Sequence, residues 1–170
     1  MVKIIWDSET TGLIDNLIER IICIGTYNVD TQETKTFSGE DEGKILEDFY
    51  AYVSSFSYPN LVGYNSDSFD LPFLVRRSIV NKKKIPQFSN TDLRKVANGF
   101  KYSYNRNEKG KLRDWALALG MTVDTSNGSE MFKLYSEKNF AQIERHCIED
   151  IQITKKLYEN IVACGLLTGN

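Results

Sequence analysis

The order in which strand-like and helix-like segments follow one another is the feature that most limits the folds open to this chain. Three apolar or alternating runs that predict strands, residues 2–6, 20–29 and 31–39, come before every helical pattern. A further short strand is predicted at residues 60–63, between two helices. Strands that come first and then alternate with helices are typical of a mixed sheet covered by helices. The sequence therefore predicts an α/β domain with antiparallel first strands.

Four segments predict helices through the spacing of their apolar residues. The chain from Glu40 onward and residues 69–80 and 112–121 repeat apolar side chains at helical intervals. The clearest apolar face belongs to the last segment, residues 140–162. Because no internal repeat or linker divides the sequence, we expect a single domain over residues 1–170.

The composition favours an intracellular protein. Three widely spaced cysteines without a C-x-x-C pair indicate neither a disulfide framework nor a zinc ribbon. Since no apolar run approaches the length of a membrane span, we expect no membrane partner and a cytoplasmic or otherwise intracellular location. The net charge of −2 argues against capture of nucleic acid by bulk positive charge. It does not exclude an enzyme of nucleic acids whose bound cations supply the positive field.

An acidic pair stands at the end of the first predicted strand. Asp7 and Glu9 are two residues apart, so an extended backbone points both carboxylates to the same side. Such a pair is ordinarily a solvated strand end. The alternative is a site for a hard cation, because Mg²⁺ and Mn²⁺ prefer oxygen ligands and need only one or two carboxylates together with a substrate phosphate.

Further candidate residues follow later in the chain. Asp70 opens the second predicted helix directly after a strand-like segment, and Asp67 is the expected cap of that helix. His146 and Asp150 are four residues apart on the last helix and so share a face. Taken alone, a single helical histidine is more often a surface or packing residue than a catalyst. Together, the acids come from elements that a compact α/β sheet can bring to one cleft.

Three motifs in this order carry a resemblance to a known family. They are D-x-E-T-T-G-L from residue 7, G-Y-N-x-x-x-F-D-x-P-F-L from residue 63, and H-x-x-x-D from residue 146. This set resembles the motifs of the DEDD superfamily of 3′–5′ exonucleases, which share a ribonuclease H-like fold. The middle motif is most similar to the exonuclease domain of family B DNA polymerases, here in a stand-alone form. The resemblance runs from residue 4 to about residue 158.

The resemblance implies a role for each of the five candidates. Asp7, Glu9, Asp70 and Asp150 would be catalytic acids that hold two Mg²⁺ or Mn²⁺ ions. His146 would be the catalytic residue that orients or deprotonates the attacking water. Only three residues separate His146 from Asp150, which is the spacing of the tyrosine subgroup of the superfamily, whereas the histidine subgroup usually has four. His146 therefore stands where the tyrosine subgroup carries its hydroxyl.

The resemblance also suggests contacts with the substrate. The residues expected to touch the terminal nucleotide or the strand are Thr10, Thr11, Gly12, Leu13 and Asn65. Leu13 could equally be a core residue, and an asparagine in a turn is explained by local hydrogen bonds. The expected substrate is nucleic acid, with single-stranded DNA favoured, and a polymerase or repair protein is a candidate partner. The alternatives are a ribonuclease that trims 3′ ends and a non-catalytic nucleic-acid-binding module.

Two basic segments complete the candidates. Residues 100–113 mix lysine and arginine with aromatic residues, a combination that suits a single-stranded path as well as a flexible solvated loop. Arg76, Arg77 and residues 82–84 form a second basic cluster. The prediction for this second cluster is a solvated helix surface.

Overall fold

The computed structural model describes residues 1–13, 17–99, 110–122 and 130–168, and a five-stranded sheet of order β3-β2-β1-β4-β5 lies at its centre. The strands are β1 (Lys3–Thr10), β2 (Ile21–Asn28), β3 (Thr34–Ser38), β4 (Asn60–Gly63) and β5 (Ser89–Asp92). The first three form an antiparallel meander. Strand β4 is parallel to β1, and β5 is parallel to β4. The predicted α/β fold with antiparallel first strands is confirmed.

Helices cover both faces of this sheet. They are α1 (Glu42–Ser54), α2 (Asp70–Val80), α3 (Leu93–Ala97), α4 (Leu112–Ala118), α5 (Met131–Ser136) and α6 (Phe140–Ala163). Because alternate side chains of a strand face opposite ways, β1 contributes to two cores. Ile4 and Trp6 pack in the core formed with α1 and α2, whereas Ile5 packs in the core formed with α3 and α6.

Strand β1 is longer than its apolar run predicts. Asp7 and Glu9 do not close the strand but lie within it, paired with Gly25 and Cys23 of β2. On its other side, β1 pairs with β4 only from Lys3 to Ile5. The second half of β1 therefore has a neighbouring strand on one side only. The open side leaves room for other groups to approach the two acids.

The predicted helix-capping role of Asp67 is wrong. Helix α2 begins at Asp70, and its N-cap position carries Phe69, which makes no side-chain capping bond. The Asp67 carboxylate instead accepts a hydrogen bond from Asn90 Nδ2 (2.8 Å) and forms an ion pair with Lys95. Its side chain is thus directed at β5 and α3, which lie next to the β4–α2 loop.

The prediction of a solvated basic cluster is wrong for one member. Arg76 is exposed, but Arg77 is a buried residue. Arg77 follows Phe73 by four residues and so lies on the same inner face of α2. Its guanidinium donates two hydrogen bonds to the Glu42 carboxylate of α1, from Nε (2.9 Å) and from one terminal nitrogen (2.7 Å). The ion pair allows a charged side chain to occupy the core between the two helices.

Three elements carry no clear signal in the sequence. Strand β5 has the sequence SNTD and lies at the edge of the sheet, while α3 and α5 are only five and six residues long.

Of the basic and aromatic stretch at 100–113, only residues 110–113 are described; the rest lies outside the described residues. Within the described ranges, no helix is both long and apolar enough to cross a membrane.

Candidate active site

A cavity of about 520 Å³ lies beside the second half of β1, on the side where β4 no longer pairs with it. Its lining residues come from β1, the loops around it, and α2, α3, α4 and α6, and they include all five predicted catalytic residues, Asp7, Glu9, Asp70, His146 and Asp150. The fold thus brings together side chains that are up to 143 positions apart in the sequence, from Asp7 to Asp150. The cavity falls in the ~300–1,000 Å³ range typical of ligand sites.

Asp70 occupies the place that β4 leaves empty. After Gly63 the chain turns away from the sheet, so the backbone N–H of Ser8 finds its acceptor elsewhere. That N–H and the Ser8 hydroxyl both donate to Asp70 Oδ1, at 3.1 and 2.6 Å. Asp70 is only 4% exposed. The two bonds satisfy a buried N–H of β1 and hold the Asp70 carboxylate in one orientation beside the cavity.

Helix α6 brings His146 and Asp150 over the same end of β1. His146 Nδ1 lies 2.8 Å from Glu9 Oε1. One potential ligand atom from each of Glu9, His146 and Asp150 lies within 4.8 Å of the others. The one-turn spacing on α6 therefore places both side chains against Glu9, as their shared helix face predicts.

A buried thiol adjoins Asp7. Cys147 Sγ donates to the backbone oxygen of Asp7 (3.7 Å), and one ligand atom from each of Asp7, Glu9 and Cys147 falls within 4.8 Å of the others. A hydrogen bond with Cys23, together with burial, raises the pKa of the Cys147 thiol well above its usual range. The sulfur thus remains a neutral thiol, which is a poor ligand for a hard cation. The oxygen atoms of the acids are the more suitable ligands.

Burial and mutual repulsion raise the pKa of several acids at this site. Desolvation, followed by repulsion from Asp70 and Asp150, raises the pKa of Asp7 well above its usual value. Burial raises the pKa of Asp70 to about 7 and that of Asp150 to about 6. Among the described residues, no lysine or arginine forms an ion pair with any of the four carboxylates. The site therefore concentrates negative charge that a divalent cation would relieve.

His146 is the one positively chargeable partner of these acids in the described structure. Its hydrogen bond to Glu9, which is the largest influence, raises the pKa of His146 to about 9. The bond also occupies Nδ1 and leaves Nε2 as the remaining ring nitrogen that can contact a water or a substrate.

Comparisons with known proteins place this chain in a family. A model of the RNase H superfamily matches residues 4–162. The chain belongs to the RNase H superfamily. It is also 33% identical over 180 residues to an uncharacterised protein, MJ0365, of the archaeon Methanocaldococcus jannaschii, with 98% of this chain and 99% of that protein covered.

A solved structure gives the same result for the fold. The RNase H-like chain superposes on the family B DNA polymerase of the archaeon Pyrobaculum calidifontis with a TM-score of 0.79 and 19% sequence identity. The match covers 95% of this chain but only 24% of the polymerase chain. The predicted ribonuclease H-like fold, with its likeness to a family B polymerase, is thus confirmed. Together, the superfamily and the likeness support a nuclease-like function.

The predicted substrate contacts are only partly gathered at the cavity of this RNase H-like chain. Leu13 and Asn65 line it, whereas Thr10, Thr11 and Gly12 do not. The Thr10 hydroxyl donates to the Gly12 carbonyl oxygen (2.7 Å), so it serves the turn after β1. Leu13 is 66% exposed and is therefore not a core residue. The Asn65 side chain accepts a hydrogen bond from Arg94, which lies on α3 rather than in the same turn.

Several lining residues were not identified from the sequence. They are Ser8, Tyr64, Phe69 and Arg94, whereas Gly110, Lys111 and Leu112, which also line the cavity, belong to the basic stretch at 100–113. Phe69 had a usable signal, because it stands inside the middle motif immediately before Asp70. Arg94 had none, since it lies 29 positions from Asn65, its partner at the cavity. Only the pairing of β5 with β4 brings the start of α3 to this site.

Proposed function

We propose that this protein is a metal-dependent 3′–5′ exonuclease that hydrolyses the terminal phosphodiester bond of single-stranded DNA and releases nucleoside 5′-monophosphates. One observation carries the proposal. The carboxylates of Asp7, Glu9, Asp70 and Asp150 meet at one cavity with no lysine or arginine paired to them among the described residues. An enzyme that bound its substrate by side-chain charge alone would place cations there instead.

The donor set fits two Mg²⁺ or Mn²⁺ ions. All four acids offer carboxylate oxygens, the ligand type that these hard cations prefer. Asp7 would contribute to both sites, Glu9 and Asp150 would complete one of them, and Asp70 would serve the other. When bound, two such ions activate a water, orient the substrate and neutralise charge on the leaving oxygen. The bonds from Ser8 hold the Asp70 carboxylate ready for this role.

His146 is proposed to orient the attacking water and to accept its proton. Nδ1 is held by Glu9, so Nε2 is the nitrogen assigned to the water. In the metal-free protein, a pKa of about 9 keeps His146 protonated at neutral pH. Neutralising the Glu9 carboxylate would lower this pKa towards the ordinary value of about 6.5 and free the nitrogen to act as a base.

The test is degradation of 5′-labelled single-stranded DNA, duplex DNA and RNA in the presence of Mg²⁺, Mn²⁺ or a chelator. We expect a ladder that shortens from the 3′ end of single-stranded DNA, and no cleavage with chelator or with Asp7→Asn. Asp48→Asn, which alters a partly exposed acid away from the cavity, should cleave like the native protein. Metal-independent cleavage, or cutting of circular single strands, would contradict the proposal.

The other substrates in this experiment distinguish the exonuclease from the alternative functions. Faster shortening of RNA than of DNA would indicate a 3′-trimming ribonuclease, and binding without any shortening would indicate a non-catalytic module. For His146→Gln we expect kcat to fall by about 10²–10⁴-fold, the usual contribution of a general base. An unchanged rate with an unchanged pH profile would remove His146 from the mechanism and leave the metal site standing.

A further inference from the structure

Two cationic residues also line the cavity. Arg94 lies in the first turn of α3, and Lys111 stands just before α4. Beside them are Tyr64 and Asn65, which follow β4. The acids come instead from β1, the start of α2, and α6. Two cations and four acids therefore line the same cavity from different elements.

Arg94 is held in place by a buried carboxylate. Asp92 is 5% exposed and accepts hydrogen bonds from the backbone N–H groups of Asn65 (2.9 Å), Asp67 (3.2 Å) and Arg94 (2.9 Å). These bonds join the β4–α2 loop to the first turn of α3. They also support the left-handed backbone of Asn65, whose φ is 59°. The arginine thus projects from a rigid junction.

The guanidinium of Arg94 has donors to spare. One terminal nitrogen donates to Asn65 Oδ1 (2.8 Å), whereas a guanidinium carries five N–H donors. Among the described residues, no carboxylate forms an ion pair with Arg94. A half-buried arginine that lines a cavity without a carboxylate partner is suited to bind an anion from outside the chain.

The position of Arg94 indicates which anion. The Arg94 guanidinium is bonded to Asn65 and, among the described residues, forms no ion pair with any of the four acids of the same cavity. Arg94 lies at the start of α3, directly after β5, and β4 separates β5 from β1, the strand that carries Asp7 and Glu9. The arginine is therefore displaced across the sheet from the acids, and the acids are where the reacting phosphate would be bound.

We infer that Arg94 binds the phosphate on the 5′ side of the scissile phosphate, with one guanidinium N–H kept on Asn65 and the others on the non-bridging oxygens. The inference rests on the proposed function, because it assumes that the scissile phosphate lies at the acids. Arg94 then fixes the register of the strand. A substrate that lacks a charged phosphate at this position loses the contact.

A pair of matched changes tests this contact. The substrates are a 5′-labelled oligodeoxythymidine and the same strand with one neutral methylphosphonate at the linkage next to the terminal one. Each is given to native protein, Arg94→Gln and Arg94→Lys, with Arg76→Gln as the control because Arg76 is exposed and away from the cavity. The readouts are kcat/KM for the first cleavage and binding affinity in Ca²⁺, with melting temperatures to verify folding.

We expect the methylphosphonate to lower native kcat/KM by about 10- to 100-fold, the loss typical of one hydrogen bond to a charged group. Arg94→Gln should lower it on the normal strand by a similar factor and be insensitive to the methylphosphonate. It should also reduce the slope of log affinity against log salt by about 0.7, as expected for one phosphate contact to a single strand. Arg94→Lys should restore part of the sensitivity.

Two results would overturn this inference while leaving the exonuclease proposal intact. In the first, Arg94→Gln acting on the methylphosphonate strand loses kcat/KM by the product of the two separate factors, which would show that the two changes are independent. In the second, Arg94→Gln cleaves and binds the normal strand as the native protein does. Failure of the proposed function looks different, because the native protein would not shorten the unmodified strand. If that protein also failed to bind the strand, both proposals would be overturned.

Discussion

Two charged groups in this protein, the ion pair around Glu42 and the four acids at the cavity, differ in how their charge is balanced. Glu42, between α1 and α2, accepts two hydrogen bonds from Arg77 and one each from the Ile21 N–H (2.8 Å) and Asn81 Nδ2 (2.8 Å). At the cavity, four acids share a single chargeable partner, His146, among the described residues. The first group is complete within the chain, and the second is not.

The difference matches a structural role for Glu42 and the proposed metal-binding role for the cavity acids. A buried carboxylate with a full set of donors can stabilise the fold, or at least cost it little, whereas unpaired acids repel one another and cost stability. Perturbed acids of this kind gather where a site must bind or react. The unbalanced charge at the cavity is therefore the part of the molecule that an added cation should change most.

The largest effect on folding is expected at the balanced group. Glu42→Ala would leave the Arg77 guanidinium buried without its partner, and we expect the free energy of unfolding to fall by about 3–5 kcal/mol. Urea denaturation measures the change. Glu47→Ala, which removes the exposed partner of Lys83, is the control and should alter stability little. Equal losses in the two variants would show that the buried ion pair of Glu42 contributes no more to stability than the exposed ion pair of Glu47.

The unbalanced group should respond to metal. Mg²⁺ at about 100 times its dissociation constant should stabilise the native protein by about 2.7 kcal/mol, because the ion binds the folded state alone. Asp7→Asn should lose this gain and, without metal, should melt at a higher temperature than the native protein, since the desolvation of an acid and its repulsion by Asp70 and Asp150 are both removed. Thermal denaturation with and without chelator measures both. A metal-free Asp7→Asn protein that melts lower would contradict the repulsion argument.

A more gradual effect should follow pH in the chelator-treated protein. The pKa of Asp70 is raised from 3.8 to about 7 by burial. As pH rises through this window, the unfolded chain ionises the acid while the folded chain keeps its proton, so stability falls. The pKa of His146 is raised from 6.5 to about 9. Its stabilising contribution is complete below pH 6.5 and is lost as pH rises to about 9.

Urea denaturation midpoints measured across these pH values show which residue causes the loss of stability in each of the two pH windows. Asp70→Asn should weaken the lower one, to which Asp150 also contributes through its pKa of about 6, and His146→Gln should remove the upper one. Saturating Mg²⁺ should weaken the dependence, because bound cations favour the ionised acids over the whole range. If stability instead rose between pH 4 and pH 7, the carboxylates would have to be paired in the folded state.

Local patterns explain why much of the fold was predictable. The apolar run of β2 and the helical period of α1 and α6 are formed by neighbouring residues, so these elements can be predicted without knowing what they contact. Asp7 and Glu9 share a side for the same local reason. Strand β5 shows the opposite case. Its four residues, SNTD, contain no apolar pattern, and it is a strand only because β4 pairs with it.

Side-chain environments were harder to predict than elements. Arg76 and Arg77 are neighbours with the same chemistry, yet one is exposed and the other is buried against Glu42. Asp67 resembles a helix cap in sequence but serves Asn90 and Lys95 in the structure. In each case the deciding partner lies more than 20 positions away, so no window of neighbouring residues contains it.

The sequence by itself determined the kind of elements, their order and which acids were candidates, because hydrophobic period and motif spacing are properties of nearby residues. Only the tertiary structure decided that β4 leaves β1 after Ile5, that Asp70 takes the vacated place, and that Arg94 lines the same cavity. The physical reason is that strand pairing and burial join distant segments. They settle which charges are neutralised within the chain and which are left for a ligand.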